Sequence, residues 1–444
     1  MCPLACATMR GSVVKVGVLG CGNVGAALVQ LISDRGDEIE ARTGVRLEVT
    51  RVAVRSLSRK RPIDLSDDVL TRDAAEVVAD PGVDVVVEVI GGIEPARELI
   101  LRALAAGKPV ITANKELLAN HGAELFEAAS AGQVDLLFEA AVAGGIPIMR
   151  PLRESLVGED VRRIMGIVNG TTNFILTRMS EEGTSYAAAL TEAQELGYAE
   201  RDPTADVEGY DAGAKAAILA SIAFGAKVVA GDVYHEGIAN ISATDIAFAN
   251  RLGYVIKLLA VAELVPGEGG PDEVAVRVHP AMVPLAHPLA GVRDSFNAVF
   301  VEGAAVGDLM FYGRGAGGSP TGSAVLGDLV DAAVNLRKGT YADLPALVRR
   351  PIRPIDELQS SYYVNLDVVD QPGVLRAIAE AFERHGVSIR SLEQEGVGAA
   401  ARLIFITHQA READVQSTLD DLRELSVILR ITSVLRVVGD DVES

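Results

Sequence analysis

The chain has 444 residues, 49% of them hydrophobic and 23% charged, which is enough for two or three soluble domains with ample cores. Lys and Arg number 41 against 61 Asp and Glu, and the net charge of −20 leaves no basic footprint for nucleic acid. The three cysteines, Cys2, Cys6 and Cys21, form neither a disulfide framework nor a paired metal-ligand spacing.

Residues 1–11 read as a disordered tail without the charged and apolar regions of a secretory signal, and Met9 is an alternative start to Met1. No uncharged apolar run reaches the ~18 residues of a membrane span, so none is expected, and the cysteine usage fits a reducing cytoplasm. Val13–Leu19 reads as a buried strand, followed by Gly20-Cys21-Gly22-Asn23-Val24-Gly25 and a helix through Ala26–Ile32. Strand, glycine turn and helix are the context that gives a G-x-G-x-x-G its meaning. Gly20 permits a tight turn, Gly22 lets a pyrophosphate approach the backbone, and Gly25 allows helix to pack on strand. The helix N-terminus faces the phosphates with N–H groups and partial positive charge, so dinucleotide binding is expected.

Leu47–Val54 is the second strand. An NAD-preferring domain carries an acidic residue at its end, for the ribose 2′-hydroxyl. Here Arg55 stands there, followed by Ser56, Ser58, Arg59, Lys60 and Arg61. The basic end suits a 2′-phosphate and points to NADP, with NAD and a merely solvated basic loop as the alternatives. Asp84–Ile90 is a third strand ending in Gly91-Gly92, Pro95–Ala106 a helix closed by Gly107, and Pro109–Thr112 a short strand. Thr112-Ala113-Asn114-Lys115-Glu116 then falls at a strand carboxyl end, where parallel sheets bind ligands. Lys115 either holds a substrate oxygen or is a surface lysine opening a helix.

Leu136–Phe138 begins as a strand, and Glu139–Pro147 turns through glycines. Irregular backbone there offers carbonyls to a hard cation, or is a plain turn. Ile164–Val168 ends in Asn169-Gly170-Thr171-Thr172-Asn173, a polar cluster that orients a ligand or caps a helix. Gly197–Lys215 is the most informative stretch: Glu200, Asp202, Asp206, Glu208 and Asp211 lead into Lys215 and then into Ala216–Phe224, which has almost no polar face. A helix apolar all round is buried, and Asp211 and Lys215 are i and i+4 on it. The pair is either an ion pair closing a helix or a catalytic lysine among substrate-binding carboxylates. Phe311–Pro320 is a second glycine loop, in which Ser319 can N-cap and Pro320 open a helix running to about Leu336. Residues 339–360, with Pro345, Pro351 and Pro354, have a linker pattern. After them the order is βαββαβ: strand Tyr362–Val369, helix Val374–His385, strands Val387–Glu395 and Ala401–Thr407, helix Glu412–Glu424, strand Val427–Val438.

Gly20–Gly25, Thr112–Lys115, Glu139–Pro147, Asn169–Asn173, Gly197–Lys215 and Gly313–Gly318 together resemble homoserine dehydrogenase over nearly the whole chain beyond residue 12. The tail, with Asp370-Gln371-Pro372-Gly373-Val374-Leu375 at its first turn, resembles an ACT domain. The implied fold class is α/β. A Rossmann domain spans 12–140, with helix 319–338 packing back on it. An α+β substrate-binding and dimerisation domain spans 141–338, a linker 339–360 and a ferredoxin-like ACT domain 361–444.

The family interconverts L-aspartate 4-semialdehyde and L-homoserine with NAD(P)H. The resemblance implies Lys215 as proton donor and Lys115 as an aid to positioning, roles that could be exchanged. It implies Glu200, Asp206, Asp211, Asn169 and Thr171 around the substrate. Gly20, Gly22, Asn23, Val24, Gly25 and Arg55 would meet the cofactor, with Gly92, Thr112, Lys115, Gly197, Gly315 and Gly317. Family members often carry Thr or Ser where this chain has Gly92. A sodium ion would rest on Glu139 and the carbonyls of Val142, Gly144 and Ile146. A homo-oligomer is implied, with threonine as effector or the tail as a dimerisation module alone. The rivals are a 2-hydroxy-acid dehydrogenase, which would need a His-Glu/Arg set, and a silent amino-acid sensor, which would have lost the loop or the lysine.

Overall fold

The computed structural model describes residues 12–267, 269–344, 346–397 and 400–439. The expected tail 1–11, and Pro345 of the expected linker, lie outside the described residues. The chain divides into two compact units, one of Met1–Glu159, Ser221–Ala230 and Phe311–Arg349, the other of Asp160–Ala220, Gly231–Met310 and Arg350–Ser444.

The first unit holds six strands: β1 (Ser12–Leu19), β2 (Val45–Ala53), β3 (Leu70–Thr71), β4 (Val85–Glu88), β5 (Val110–Thr112) and β6 (Leu136–Leu137). All pair in parallel, in the order β3-β2-β1-β4-β5-β6. This is the doubly wound order of a Rossmann sheet, with its switch point between β1 and β4. The sequence pattern reveals the other five strands but not β3, whose two residues are too short to show alternation. It also misses the helix Ala74–Ala79, which Asp73 caps by accepting from the N–H of Ala75 and Glu76.

Val14, Val16 and Val18 of β1 form one core with Leu28 and Ile32 of the helix Asn23–Thr43, and with Val325, Leu329 and Ala332 of the helix Gly318–Lys338. The two helices meet closely at Gly322, where an added Cβ would lie 3.1 Å from Ala27 Cβ. The start of the later helix differs from expectation. Gly317, at φ 120°, is its N-cap, and Ser319 sits inside the first turn. The loop before it is also shorter than expected, because Phe311 to Arg314 belong to a strand.

The second unit is built on a sheet of β7 (Val161–Ile167), β8 (Tyr234–His235), β9 (Tyr254–Val265), β10 (Glu273–Pro284), β11 (Phe296–Gly303), β12 (Gly307–Arg314), β13 (Gln359–Val369), β14 (Ile389–Val397), β15 (Ala400–Thr407), β16 (Ala410–Arg411) and β17 (Ile428–Val437). The path is β12-β11-β7-β9-β10-β17-β13-β15-β14, with β8 beside β10 and β16 beside β13. The C-terminal strands keep the ferredoxin-like order β17-β13-β15-β14, under helices Val374–Arg384 and Glu412–Glu424. Their core gathers Val364, Leu366, Ile378, Phe382, Phe405 and Leu419. A short parallel pairing, Ala281↔Arg436 and Met282↔Val437, joins these strands to β10.

Residues 346–360 are more tied down than a free linker. Val348 bridges to Ala226, Ile352 bridges to Val274, and Arg353 pairs with Glu273 at 2.6 Å. Among the described residues no helix is long and apolar enough to cross a membrane.

Candidate active site

At the end of β1 the turn follows from what side chains would strike. Gly20 has φ 103°, and a Cβ there would lie 2.7 Å from Val89 O. A Cβ on Gly25 would lie 2.2 Å from Gly20 O. At Gly22 an added Cβ would meet nothing within 4 Å. That open space fronts the N-terminus of helix Asn23–Thr43, whose N-cap, Gly22, supplies no side chain to its N–H groups. Such a terminus suits an anion, so the turn fits a dinucleotide pyrophosphate. Arg55 is exposed at the end of β2, and Arg61 folds over its own loop, donating to Arg59 O at 3.0 Å and to Ser56 O. Burial raises the Cys21 thiol pKa and the Arg61 charge lowers it, which places the basic loop beside the glycine turn.

The next strand ends are held by a carboxylate that the sequence pattern did not single out. Glu88 is fully buried and accepts from the N–H of Ile90 (2.8 Å) and Gly91 (3.1 Å) and from the Thr112 hydroxyl (2.6 Å). Asn114 donates to Gly92 O at 2.6 Å and N-caps the helix Lys115–Gly132 through Leu117 N–H. Thr112 and Asn114 therefore fix the Gly91-Gly92 loop, whose glycines both have positive φ and face solvent. Lys115 is half-buried in the first turn of that helix.

Glu139 accepts three backbone N–H groups, from Ile148, Met149 (2.7 Å) and Arg150 (2.9 Å), and so clamps the loop ahead of it. Its own N–H donates to Asp328 at 2.7 Å. Burial and the nearby Glu139 charge push the Asp328 carboxyl up to about 7, against the hydrogen bond and the Arg150 charge that pull it down. Ala143 and Gly144 both have positive φ, at 53° and 50°. Among the described residues no hydrogen bond reaches the carbonyls of Val142, Gly144 or Ile146. One carboxylate with free carbonyls is a donor set that fits a hard cation. No group of three or more His, Cys, Asp or Glu gathers for a metal among the described residues. A Cβ on Gly144 would lie 2.3 Å from Gly315 O, and one on Gly318 would lie 3.0 Å from Asn23 O. The second glycine loop, with Gly315 and Gly317, thus touches the Glu139 loop and runs to the Gly20–Gly25 turn.

In the second unit the polar residues of three separate segments converge. Lys215 is 8% exposed, and its Nζ donates to Val168 O at 2.6 Å and to Asp211 Oδ2 at 2.7 Å. Asn169 donates to Asp206 Oδ1 at 2.7 Å and to Asp211 Oδ2 at 2.9 Å. The same side chain caps the helix Gly170–Glu182 by accepting from Thr172 N–H. Thr171 donates to Tyr198 O at 2.7 Å, tying this cap to the stretch before the carboxylates. Glu200 is exposed and its carboxylate makes no described bond to the cluster, so the structure does not bring it in. Gly197, at φ 77°, turns the chain after helix Tyr186–Glu195.

Two supports of this cluster escaped the sequence reading. His235 lies against Gly213, where a Cβ would be 2.0 Å from Nε2, and its ring is 5.0 Å from that of Tyr210. Lys257 is buried, donates to Asn173 Oδ1 at 3.0 Å and to Val292 O, and burial pushes its pKa down to about 8. A lysine in an apolar strand was the available signal for Lys257. His235, on a two-residue strand, had none.

Three family profiles cover the chain: "Homoserine dehydrogenase, NAD binding domain" at residues 20–139, "Homoserine dehydrogenase" at 147–330 and "ACT domain" at 362–427. The homoserine dehydrogenase of Corynebacterium glutamicum is 51% identical over 437 residues, 97% of each chain. That of Mycobacterium tuberculosis is 49% identical over 439 residues, covering 96% of this chain and 98% of its own. Among solved structures, a homoserine dehydrogenase from Thiobacillus denitrificans superposes with a TM-score of 0.90 at 39% identity, over 96% of this chain and 99% of its own. A hyperthermophilic archaeal homoserine dehydrogenase in complex with NADPH gives 0.62 at 29% identity, over 73% and 98%.

Proposed function

The chain belongs to the homoserine dehydrogenase family and carries an ACT domain, and on that premise we propose how its residues divide the reaction. The reaction is the NAD(P)H-dependent reduction of L-aspartate 4-semialdehyde to L-homoserine, a step of amino-acid biosynthesis. Held by the glycine turn, a reduced nicotinamide cofactor would supply the hydride that the aldehyde carbon needs. Negative charge then develops on the aldehyde oxygen, and the Lys215 ammonium stabilises it and delivers the proton. Asp211 and Val168 O aim that ammonium and keep it charged. Asp206 and Asp211 attract the substrate ammonium, Asn169 bridges the two carboxylates by donating to both, and Thr171 fixes the backbone around them. The observation that carries this reading is the buried chain Lys215–Asp211–Asn169–Asp206. Glu200 joins the substrate set only by resemblance. Lys115 is the second lysine of the reading, as positioning group or, with roles exchanged, as acid.

The cofactor is NADP by preference. Arg55 and Arg61, on the loop beside the glycine turn, suit a 2′-phosphate. Gly20, Gly22, Asn23, Val24 and Gly25 receive the pyrophosphate, with Gly315 and Gly317 on its flank and Gly92 and Thr112 at the nicotinamide end. Gly197 belongs to the same set by resemblance alone. Sodium, if bound, rests on Glu139 and the carbonyls of Val142, Gly144 and Ile146, and would stiffen the loop without entering the chemistry. The chain is read as 12–140, 141–338 and 361–444 for cofactor, substrate and regulation, and as a homo-oligomer. Threonine is the effector of the tail. A cavity of about 160 Å³ at Asp370, Gln371, Pro372 and Gly373 supports that reading.

The test is oxidation of NADPH and of NADH by the purified chain with L-aspartate 4-semialdehyde, with and without L-threonine and with sodium varied. A lower KM for NADPH and turnover that falls with threonine are expected. Equal use of both coenzymes would overturn the Arg55 assignment, and indifference to threonine that of the effector.

A further inference from the structure

Lys257 is a charged residue on a face made of apolar ones. Val255, Leu259 and Val261, on the same face of β9, pack with Met165, Ile167, Ala281 and Phe300 in one apolar core. Lys257 itself is only 4% exposed. A buried charge is costly unless a counter-charge pairs with it. Neither hydrogen-bond partner of this one is a carboxylate: Nζ donates to Asn173 Oδ1 at 3.0 Å and to Val292 O. An apolar side chain would fill the position at lower cost, so the reason for the ammonium lies in what it holds.

It holds the start of the helix Gly170–Glu182 against residues 292–296. Asn173 is buried, and its Nδ2 reaches the carbonyls of Val292 (3.3 Å), Asp294 (2.9 Å) and Phe296 (3.2 Å). One turn on, Thr177 Oγ1 donates to Asn173 O at 2.7 Å and accepts from Asp294 N–H at 3.2 Å. Lys257 bonds both sides of this seam, Asn173 on the helix and Val292 on the loop. The loop also presses on the first helical residue, since a Cβ on Gly170 would lie 2.8 Å from Ser295 O. Gly170 stands between Asn169, which bonds Asp206 and Asp211, and Thr171, which bonds Tyr198 O. Asn173 N–H in turn donates to Asn169 O at 3.3 Å.

We propose that the Lys257 ammonium is a positioning group for the substrate site: through Asn173 and residues 292–296 it sets the first turn of the helix, and with it Asn169 and Thr171. This role presupposes that of Asn169 at the substrate.

The charges around Lys257 make the role depend on pH. Burial pushes its pKa down to about 8, with Glu181 opposing, Arg293 assisting and Asp294 opposing. Opposite it on β10 stands Ala281. Helix Ala243–Arg251 also packs on β9, but its Asp245 and Arg251 are bonded to Asn365 and Glu393 of the C-terminal strands. Above the pKa the amine keeps only neutral donors, and neutral hydrogen bonds have roughly half the strength of charge-assisted ones. The helix start is then held less firmly and kcat/KM falls.

The test is kcat/KM for L-aspartate 4-semialdehyde, measured on the full chain at saturating NADPH on both sides of pH about 8. Below that pH, Lys257→Met should lower kcat/KM about threefold, the worth of one net hydrogen bond. The loss should lie mainly in KM, because Lys215 keeps Asp211 and Val168 O. The variant should also lack the alkaline fall of the wild type. Asn173→Asp sets a carboxylate against the ammonium and should move that fall to higher pH, a readout that stands even where Lys257→Met does not fold. An alkaline fall unchanged in Lys257→Met, or at the same pH in Asn173→Asp as in wild type, would overturn the proposal. A lower kcat/KM in Asn169→Ala beside a wild-type value in Lys257→Met would overturn the role of Lys257 alone. Wild-type values in both would overturn it together with the substrate role of Asn169.

Discussion

At the Gly20–Gly25 turn the chain removes side chains so that a ligand can reach the backbone; around Lys215 it buries side chains so that they hold one another. The turn is contiguous, and its rigidity comes from close contacts, with Gly25 against Gly20 O and Gly20 against Val89 O. The cluster is assembled from Val168–Asn169, Asp206–Asp211 and Lys215, and its rigidity comes from charge-assisted hydrogen bonds under low solvent exposure. A steric site tolerates nothing where backbone is near and anything where space is open. An electrostatic one depends on every partner, because a buried charge left alone is costly.

Lys215→Ala breaks the comparison most sharply. Loss of a general acid should lower kcat by about 100- to 10,000-fold. NADPH affinity, measured by fluorescence titration, should stay near wild type. Near-normal turnover would move the acid role to Lys115.

The glycine turn should separate two effects. Gly25→Ala drives a Cβ into Gly20 O, so both thermal stability and coenzyme affinity should fall, the latter by about tenfold or more, since backbone cannot yield cheaply. Gly22→Ala, at φ −84° with open space around it, should leave the melting temperature unchanged and still weaken NADPH binding. Equal melting losses in the two variants would refute the steric account.

Asn169→Ala should cost about 1–2 kcal/mol of stability through the lost helix cap, read from urea midpoints. It should also lower kcat/KM, because Asp206 and Asp211 then repel across an unfilled gap. A stability loss with unchanged kcat/KM would make Asn169 a cap alone.

The smallest effect is at Lys257. The unfolded chain keeps that proton to about 10.5, the folded chain only to about 8, so between these values unfolding takes up a proton and stability rises with pH. Lys257→Met should remove that rise. The checking quantity is the difference between wild-type and variant urea midpoints at pH 8 and pH 10, and a constant difference would contradict it.

Much of this was legible in the linear chain. The strand–glycine–helix order, the i,i+4 pair at Asp211 and Lys215, and the βαββαβ tail are local patterns, and local patterns survive in a sequence. Glu88 was not legible as the anchor of the Gly91-Gly92 loop, because its partner Thr112 is 24 residues away. Glu200 is exposed and makes no described bond to the buried carboxylates, because sequence proximity does not decide which side chains turn inward. The helix start at Gly317 was misplaced because Ser319 and Pro320 satisfy the usual capping pattern, while a glycine at φ 120° precedes both.

By itself the sequence determined the parts: a dinucleotide turn, a lysine among carboxylates, and a ferredoxin-like tail. These depend on residue type and short spacing, which no folding step changes. Only the tertiary structure decided which groups meet. Asn169 finds Asp206 37 residues on and Asp211 42 residues on, and Glu139 finds Asp328 across 189 residues. Such encounters are set by strand register and helix packing over long separations, and the composition of either segment alone carries no trace of the other.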